Sequence, residues 1–99
     1  MSARHSLIAG LLLGLFGAAA SSLAQAQSYP QQTVRIVVPF APGGPTDVYA
    51  RIIGKQLADA FRQPFIVDNK PGANGAIGSE YVAHAKPDGY TLLVGTGTT

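Results

Sequence analysis

Apolar side chains fall in two rhythms along residues 34–95, and the rhythms alternate. Val34 to Val38, apolar and β-branched except for Arg35, predicts a strand. Pro39 cannot donate to a ladder and ends it. From Thr46 the apolar residues recur at three- and four-residue steps: Val48, Tyr49, Ile52, Ile53, Leu57, Ala60 and Phe61. Asp47, Arg51, Lys55, Asp59 and Arg62 take the other side. This predicts an amphipathic helix with one buried stripe and an Asp47–Arg51 pair at i, i+4. Gly54 weakens the helix slightly and suits close packing.

Gln63-Pro64 closes that helix, and Phe65 to Asn69 predicts a second strand. After the breaking stretch KPGANG, Ala76 to Ala85 places Ile77, Tyr81, Val82 and Ala85 on one helical face. Lys86 to Gly89 reads as a turn, and Tyr90 to Gly95 as a third strand. The order strand, helix, strand, helix, strand predicts an α/β fold: a βαβαβ unit with a parallel sheet and right-handed crossovers.

The first residues follow neither rhythm. MSARHSLIAGLLLGLFGAAASSLAQAQS has a basic start at Arg4, an apolar run from Leu7 to Ala20, and Ala24-Gln25-Ala26. That is the pattern of a cleavable secretory signal peptide over residues 1–26. The run is short for a membrane span, which needs about 20 apolar residues. The expected domain is then residues 27–99, outside the cytoplasm. The sequence has no Cys, which excludes a lipoprotein anchor and a disulfide framework. Its 7 Lys and Arg against 5 Asp and Glu form no block, so nucleic acid is not an expected partner.

Glycine sharpens the picture. Gly43 and Gly44 follow the first strand, Gly72, Gly75 and Gly78 the second, and Gly95 and Gly97 the third. In a parallel sheet these loops leave at one edge, the carboxyl ends of the strands, where ligands bind in this architecture. The Gly-rich loops predict a site lined by backbone. A helix N-terminus there favours an anion, with Thr46 as the expected N-cap. Asp47 suits the helix dipole as well as it suits a ligand contact. The phosphate motifs fit poorly. Gly44 is followed by Pro45-Thr46-Asp47 with no Walker lysine, and Gly72, Gly75 and Gly78 give G-x-x-G-x-x-G rather than G-x-G-x-x-G. A carboxylate read by N–H groups and Thr hydroxyls fits better.

Catalytic chemistry has no evident home. His84 is the single histidine after residue 27 and lies late in a helix, and Ser79 lacks a nucleophile-elbow context. The acids are scattered, and no cluster has metal-ligand spacing. Neither an enzyme nor a cofactor is expected. Tyr49, Tyr81 and Phe61 read as core. Phe40 fits equally well as an apolar wall of the site or as a lid on the core.

VPFAPGGPTD, VDNKPGANGAIG and KPDGYTLLVGT, in that order and spacing, strongly resemble the start of the mature Bug proteins. These are the extracytoplasmic solute receptors of tripartite tricarboxylate transporters. The resemblance covers nearly all of residues 27–99. It implies part of a lobe of a type II periplasmic binding protein, which closes two α/β lobes on a ligand. It implies a small organic acid as ligand (a di- or tricarboxylate, an acidic amino acid or an aromatic acid), delivered to membrane permease subunits. Carried over by motif, the implied ligand-binding residues are Phe40, Ala41, Gly43, Gly44, Thr46 and Asp47 in the first loop. Asn74 and Gly75 follow in the second, and Thr96, Gly97 and Thr98 in the third. Family members are several times longer, so the resemblance also implies a truncated, N-terminal fragment. The alternatives are a non-functional truncated remnant and, more distantly, a phosphate-binding enzyme fragment.

Overall fold

The computed structural model describes Ser28–Thr99. The expected signal peptide, residues 1–26, lies outside the described residues. The elements are β1 (Val34–Val38), α1 (Pro45–Phe61), β2 (Phe65–Asn69), a 3-10 turn (Ala73–Gly75), α2 (Ala76–Ala83) and β3 (Thr91–Leu93). All three strands are parallel, in the order β2-β1-β3. The expected βαβαβ unit is therefore present.

The most apolar strand sits in the centre. β1 pairs from Val34↔Phe65 to Val38↔Asn69 on one side and from Arg35↔Thr91 to Val37↔Leu93 on the other. Flanked on both sides, Val34, Val37 and Val38 are completely buried, as a central parallel strand requires. The pairing runs past the strand ends. Lys70 N–H donates to Val38 O (2.8 Å), and Val94 N–H donates to Val37 O (3.0 Å). β3 is thus shorter than the expected Tyr90–Gly95 in backbone geometry, while its ladder bonds reach Tyr90 O and Val94 N.

Helix α1 forms where expected but turns a different face to the sheet. Asp47, Ala50 and Gly54 are its buried residues, and Ala50 joins Ile36 and Val38 in the core cluster. Of the stripe read from sequence, Ile53 and Leu57 are half-buried, but Val48, Tyr49 and Ile52 are 50–61 % exposed. Phe61 is 48 % exposed and keeps one aromatic neighbour, Phe65, at 6.1 Å between centroids. The cause is Asp47: buried side-chain bonds draw it inward, and Ala50 and Gly54, at i+3 and i+7, follow it to the sheet. Small residues on that line bring the helix close. A methyl on Gly54 would meet Ile36 Cδ1 at 3.4 Å, so the glycine eases the approach without being forced by it.

The start of α1 also differs by two residues. Gly44 is the N-cap, Pro45 occupies N1, and Thr46 is inside the helix with no capping hydrogen bond from a side chain. Proline's fixed φ suits N1, and that moves the boundary before Thr46. The helix ends at Phe61, before Gln63-Pro64, on Arg62 in the left-handed region (φ 56).

Helix α2 ends at Ala83 rather than Ala85 and packs through Gly78 rather than through its large side chains. Ile77 and Tyr81 are 53 % and 39 % exposed. Tyr81 instead works at the surface. Arg35 Nη1 donates to its hydroxyl (2.8 Å), and Lys70 Nζ lies 4.2 Å from its ring centroid. Asp68 pairs with both cations, Arg35 at 3.5 Å and Lys70 at 3.7 Å. At the opposite end of the sheet, the Tyr29 ring packs at a tilt against Tyr90, 5.2 Å between centroids, and its hydroxyl bonds Gly89 O, fastening the incoming chain to the turn before β3. Among the described residues no helix is long and apolar enough to cross a membrane.

Candidate functional site

The topology decides which loops meet. The first loop, 39–44, leaves the central strand. The second, 70–75, and the third, 94–99, leave its two neighbours. Lys70 and Val94 remain bonded to Val38 and Val37, so both outer loops start level with the first. They converge at Gly75. A methyl placed there would lie 2.5 Å from Thr99 Cγ2 and 3.6 Å from Phe40 Cζ. Gly75 has φ +93, a backbone conformation that favours glycine, while the near atom, Thr99 Cγ2, is a side-chain methyl that can give way. Phe40 is half-buried and packs on the cluster of Ile36, Val38 and Ala50, so it covers the core while its ring edge faces Gly75.

The second loop holds an unusual backbone. Gly72, Ala73, Asn74 and Gly75 all have positive φ. Asn tolerates the left-handed region, whereas Ala there costs roughly 1–2 kcal/mol. The turn is held by Gly75 N–H to Gly72 O (3.1 Å) and by Ser79 Oγ donating to Gly75 O (2.8 Å). Asn74 stands exposed at the tip. Third-loop residues Thr96, Gly97 and Thr98 form a small turn of their own. Thr96 N–H donates to Thr99 Oγ1 (2.7 Å), and the Thr96 and Thr98 hydroxyls lie 3.0 Å apart.

The first loop is braced from beneath. Asp47 is 4 % exposed, yet its carboxylate accepts four hydrogen bonds. Gly43 N–H reaches Oδ2 (3.0 Å), Arg51 Nε reaches both oxygens (3.0 and 3.2 Å), and Asn69 Nδ2 reaches Oδ1 (2.9 Å). The Gly43 N–H, then Arg51, then Asn69 hold its pKa down to about 2 from an ordinary 3.8. Asn69 Nδ2 also donates to Phe40 O (3.2 Å), and Arg51 Nη2 donates to Asn69 Oδ1 (3.2 Å). The expected Asp47–Arg51 pair is present, and its larger consequence is a closed network on the first loop.

Above that network lie the open positions. Ala41 and Gly43 are exposed, and Gly44 and Thr46 are half-buried. A methyl on Gly43 or Gly97 would meet nothing within 4 Å, and one on Gly44 only Ala41 O at 3.8 Å. The first hydrogen bond of α1 is Val48 N–H to Gly44 O, so the Thr46 and Asp47 N–H groups belong to the unsatisfied first turn. The edge therefore offers neutral N–H donors, Thr hydroxyls and room for a small anion.

Gly78 and Asn69 depart from their sequence reading. Gly78, counted with the loop glycines, lies inside α2 against Pro39. Asn69 reads from sequence only as the end of a strand. Its signal is positional: an amide opposite Val38 in register, just before a Gly-rich loop. Among the described residues no group of three or more His, Asp or Glu is placed to hold a metal. A shallow depression lined by Ile77, Glu80, Tyr81, His84 and Ala85 lies along α2, and none of the loop residues lines it.

Known proteins share this fold. A family model described as "Tripartite tricarboxylate transporter family receptor" matches residues 49–99. A UPF0065 protein of Bordetella bronchiseptica is 48 % identical over 91 residues, which are 92 % of this chain and 26 % of that protein. Among solved structures, MatC of Rhodopseudomonas palustris with bound malate aligns at TM-score 0.65 and 51 % identity, over 68 % of this chain and 23 % of that one. A second R. palustris structure, with adipate, aligns at TM-score 0.68 and 43 % identity, over 69 % and 23 %. The chain spans about a quarter of the length of these relatives. A receptor family with a parallel α/β fold accounts for the loop edge, and the chain belongs to the tripartite tricarboxylate transporter receptor family.

Proposed function

We propose that the chain supplies one jaw of a periplasmic receptor for a small organic carboxylate, which hands its ligand to transporter permease subunits in the membrane. In this reading residues 1–26 direct export and residues 27–99 form part of the N-terminal lobe. The observation that carries it is the meeting of three loops at Gly75, on the sheet edge from which the first loop leads into the unsatisfied first turn of α1. The ligand carboxylate is held by backbone N–H groups of Gly44, Thr46, Asp47, Asn74 and Gly97 and by the hydroxyls of Thr46, Thr96 and Thr98. Phe40 and Gly75 form the floor, and Ala41 and Gly43 the rim. Malate and adipate, bound by two relatives, are the first ligands to try.

The test is a titration of the 15N-labelled chain with malate, adipate, inorganic phosphate and ATP, followed by amide shifts. Carboxylate-dependent shifts confined to the three loops support the reading. Gly97→Ala has free space for its methyl, so it should leave the spectrum folded and weaken the carboxylate response. Shifts with phosphate or ATP alone, or a carboxylate response away from the loops, would sink it.

A further inference from the structure

We infer that Asn69 and Arg51 are positioning residues that lock the first loop and keep the Asp47 carboxylate turned away from the ligand edge. This rests on the carboxylate-receptor reading for its effect on affinity, but its effect on the loop stands on geometry alone. Asn69 sits at the end of β2, directly opposite Val38 in register, so the sheet fixes its backbone. From there one amide nitrogen reaches two first-loop anchors, Phe40 O (3.2 Å) and Asp47 Oδ1 (2.9 Å). Its amide oxygen is oriented by Arg51 Nη2 (3.2 Å), so the donating nitrogen must face the loop. Asp47 then carries the constraint across the loop to Gly43 N–H (3.0 Å).

The arrangement solves an electrostatic conflict. A carboxylate in the first turn of α1 stabilises the helix but would repel an anionic ligand at the same N-terminus. Four donated hydrogen bonds hold the charge low and inward. Removing Asn69 leaves Phe40 O without that donor and leaves Asp47 Oδ1 with Arg51 Nε as its one remaining donor. Removing Arg51 frees both the charge and the orientation of Asn69. Either change loosens the carboxylate that anchors Gly43, and with it the loop, and lets the negative charge turn toward the ligand.

The test uses Asn69→Ala and Arg51→Met, with Arg51 the milder site because its side chain is 54 % exposed. Two readouts are taken on each: the hydrogen-exchange rate and acid titration of the Gly43 amide, without ligand, and malate and adipate affinity. In the parent chain the Gly43 amide should titrate near pH 2, tracking Asp47. In both variants we expect faster Gly43 exchange by about tenfold, the loss of roughly one hydrogen bond, and a titration moved up toward the ordinary carboxylate range. Carboxylate affinity at neutral pH should fall by a similar factor, and adding Asp47→Asn to Asn69→Ala should recover part of it by removing the released charge, which simple loss of stability would not produce. Unchanged Gly43 exchange and titration in both variants would overturn the inference, as would full affinity with Gly43 released. If the parent chain binds no carboxylate, the receptor reading fails, and the Gly43 amide alone still decides the positioning role.

Discussion

Gly78 and Pro39 are in such close apposition that the chain has no room for one more carbon between them. A Cβ on Gly78 would stand 2.8 Å from Pro39 Cβ and 2.9 Å from the carbonyl oxygen of Lys70. Helix α2 thus rests directly on the residue that ends β1 and on the first residue of the second loop. This contact sets the height of α2, and with it the position of Gly75. Gly78→Ala must push backbone rather than a flexible side chain. We expect it to destabilise the chain by about 1–3 kcal/mol in urea denaturation. Shifts in its amide spectrum should spread into residues 70–75. A neutral Gly78→Ala would show that α2 is free to move off the sheet.

Arg62 ends α1 with φ 56, a conformation that suits glycine. Its N–H to Ala58 O bond (2.9 Å) is made by the backbone and survives substitution. Arg62→Gly removes a left-handed penalty of roughly 1–2 kcal/mol and adds about 0.4–1 kcal/mol of unfolded-state entropy. The net expectation is a gain of about 0.5–1 kcal/mol, read as a higher urea midpoint with an unchanged slope.

The strands were legible because each is built on a short apolar stretch with Pro or Gly nearby, and β1 and β2 fell on their expected residues. The gathering of the glycine loops followed from the parallel order. Helix phase was not legible. Periodicity on α1 points to Val48, Tyr49 and Ile52 because they are large and apolar. The observed contact line, Asp47, Ala50 and Gly54, is short and partly polar. Nothing local in the sequence says that Asp47 will be satisfied by Asn69, a partner 22 residues away. The same holds for Asn69 and Phe40, which meet only once β2 has paired with β1.

Helix phase has a direct test. Ala50 is 1 % exposed against Ile36 and Val38, so Ala50→Leu overfills the core and should cost about 1–3 kcal/mol. Tyr49→Lys and Ile52→Lys lie on the outer face and should stay within about 0.5 kcal/mol of the parent. Thermal denaturation of the three variants separates the two phases. If the large apolar residues faced the sheet, the lysine variants would be the damaging ones.

The Tyr90 hydroxyl accepts from Gln31 N–H (3.0 Å) while its ring packs against Tyr29. Tyr90→Phe keeps the ring contact and removes the bond, and should cost about 0.5–1.5 kcal/mol. Tyr29→Ala removes both the ring and its bond to Gly89 O and should cost more. Exchange of the Gln31 amide should rise in both variants while the loop amides stay unchanged. This contact lies at the end of the sheet where β1 and β3 begin, away from the edge where the three loops meet.

Asp47 gives the chain an acid limit whose sign is fixed by its environment. The carboxylate titrates near 2 in the folded chain and near 3.8 when unperturbed. The folded state therefore favours the charged form. Its stabilising contribution is complete above about pH 4 and declines as pH falls toward 2, because protonation removes the acceptor of Gly43, Arg51 and Asn69. Urea midpoints measured between pH 5 and pH 2 should show this loss in the parent chain. Asp47→Asn should start less stable, because its amide cannot accept all four bonds, and should show a shallower fall over the same range. Parallel curves for the two proteins would mean that other carboxylates set the acid limit, and that Asp47 carries no more than its share of surface charge.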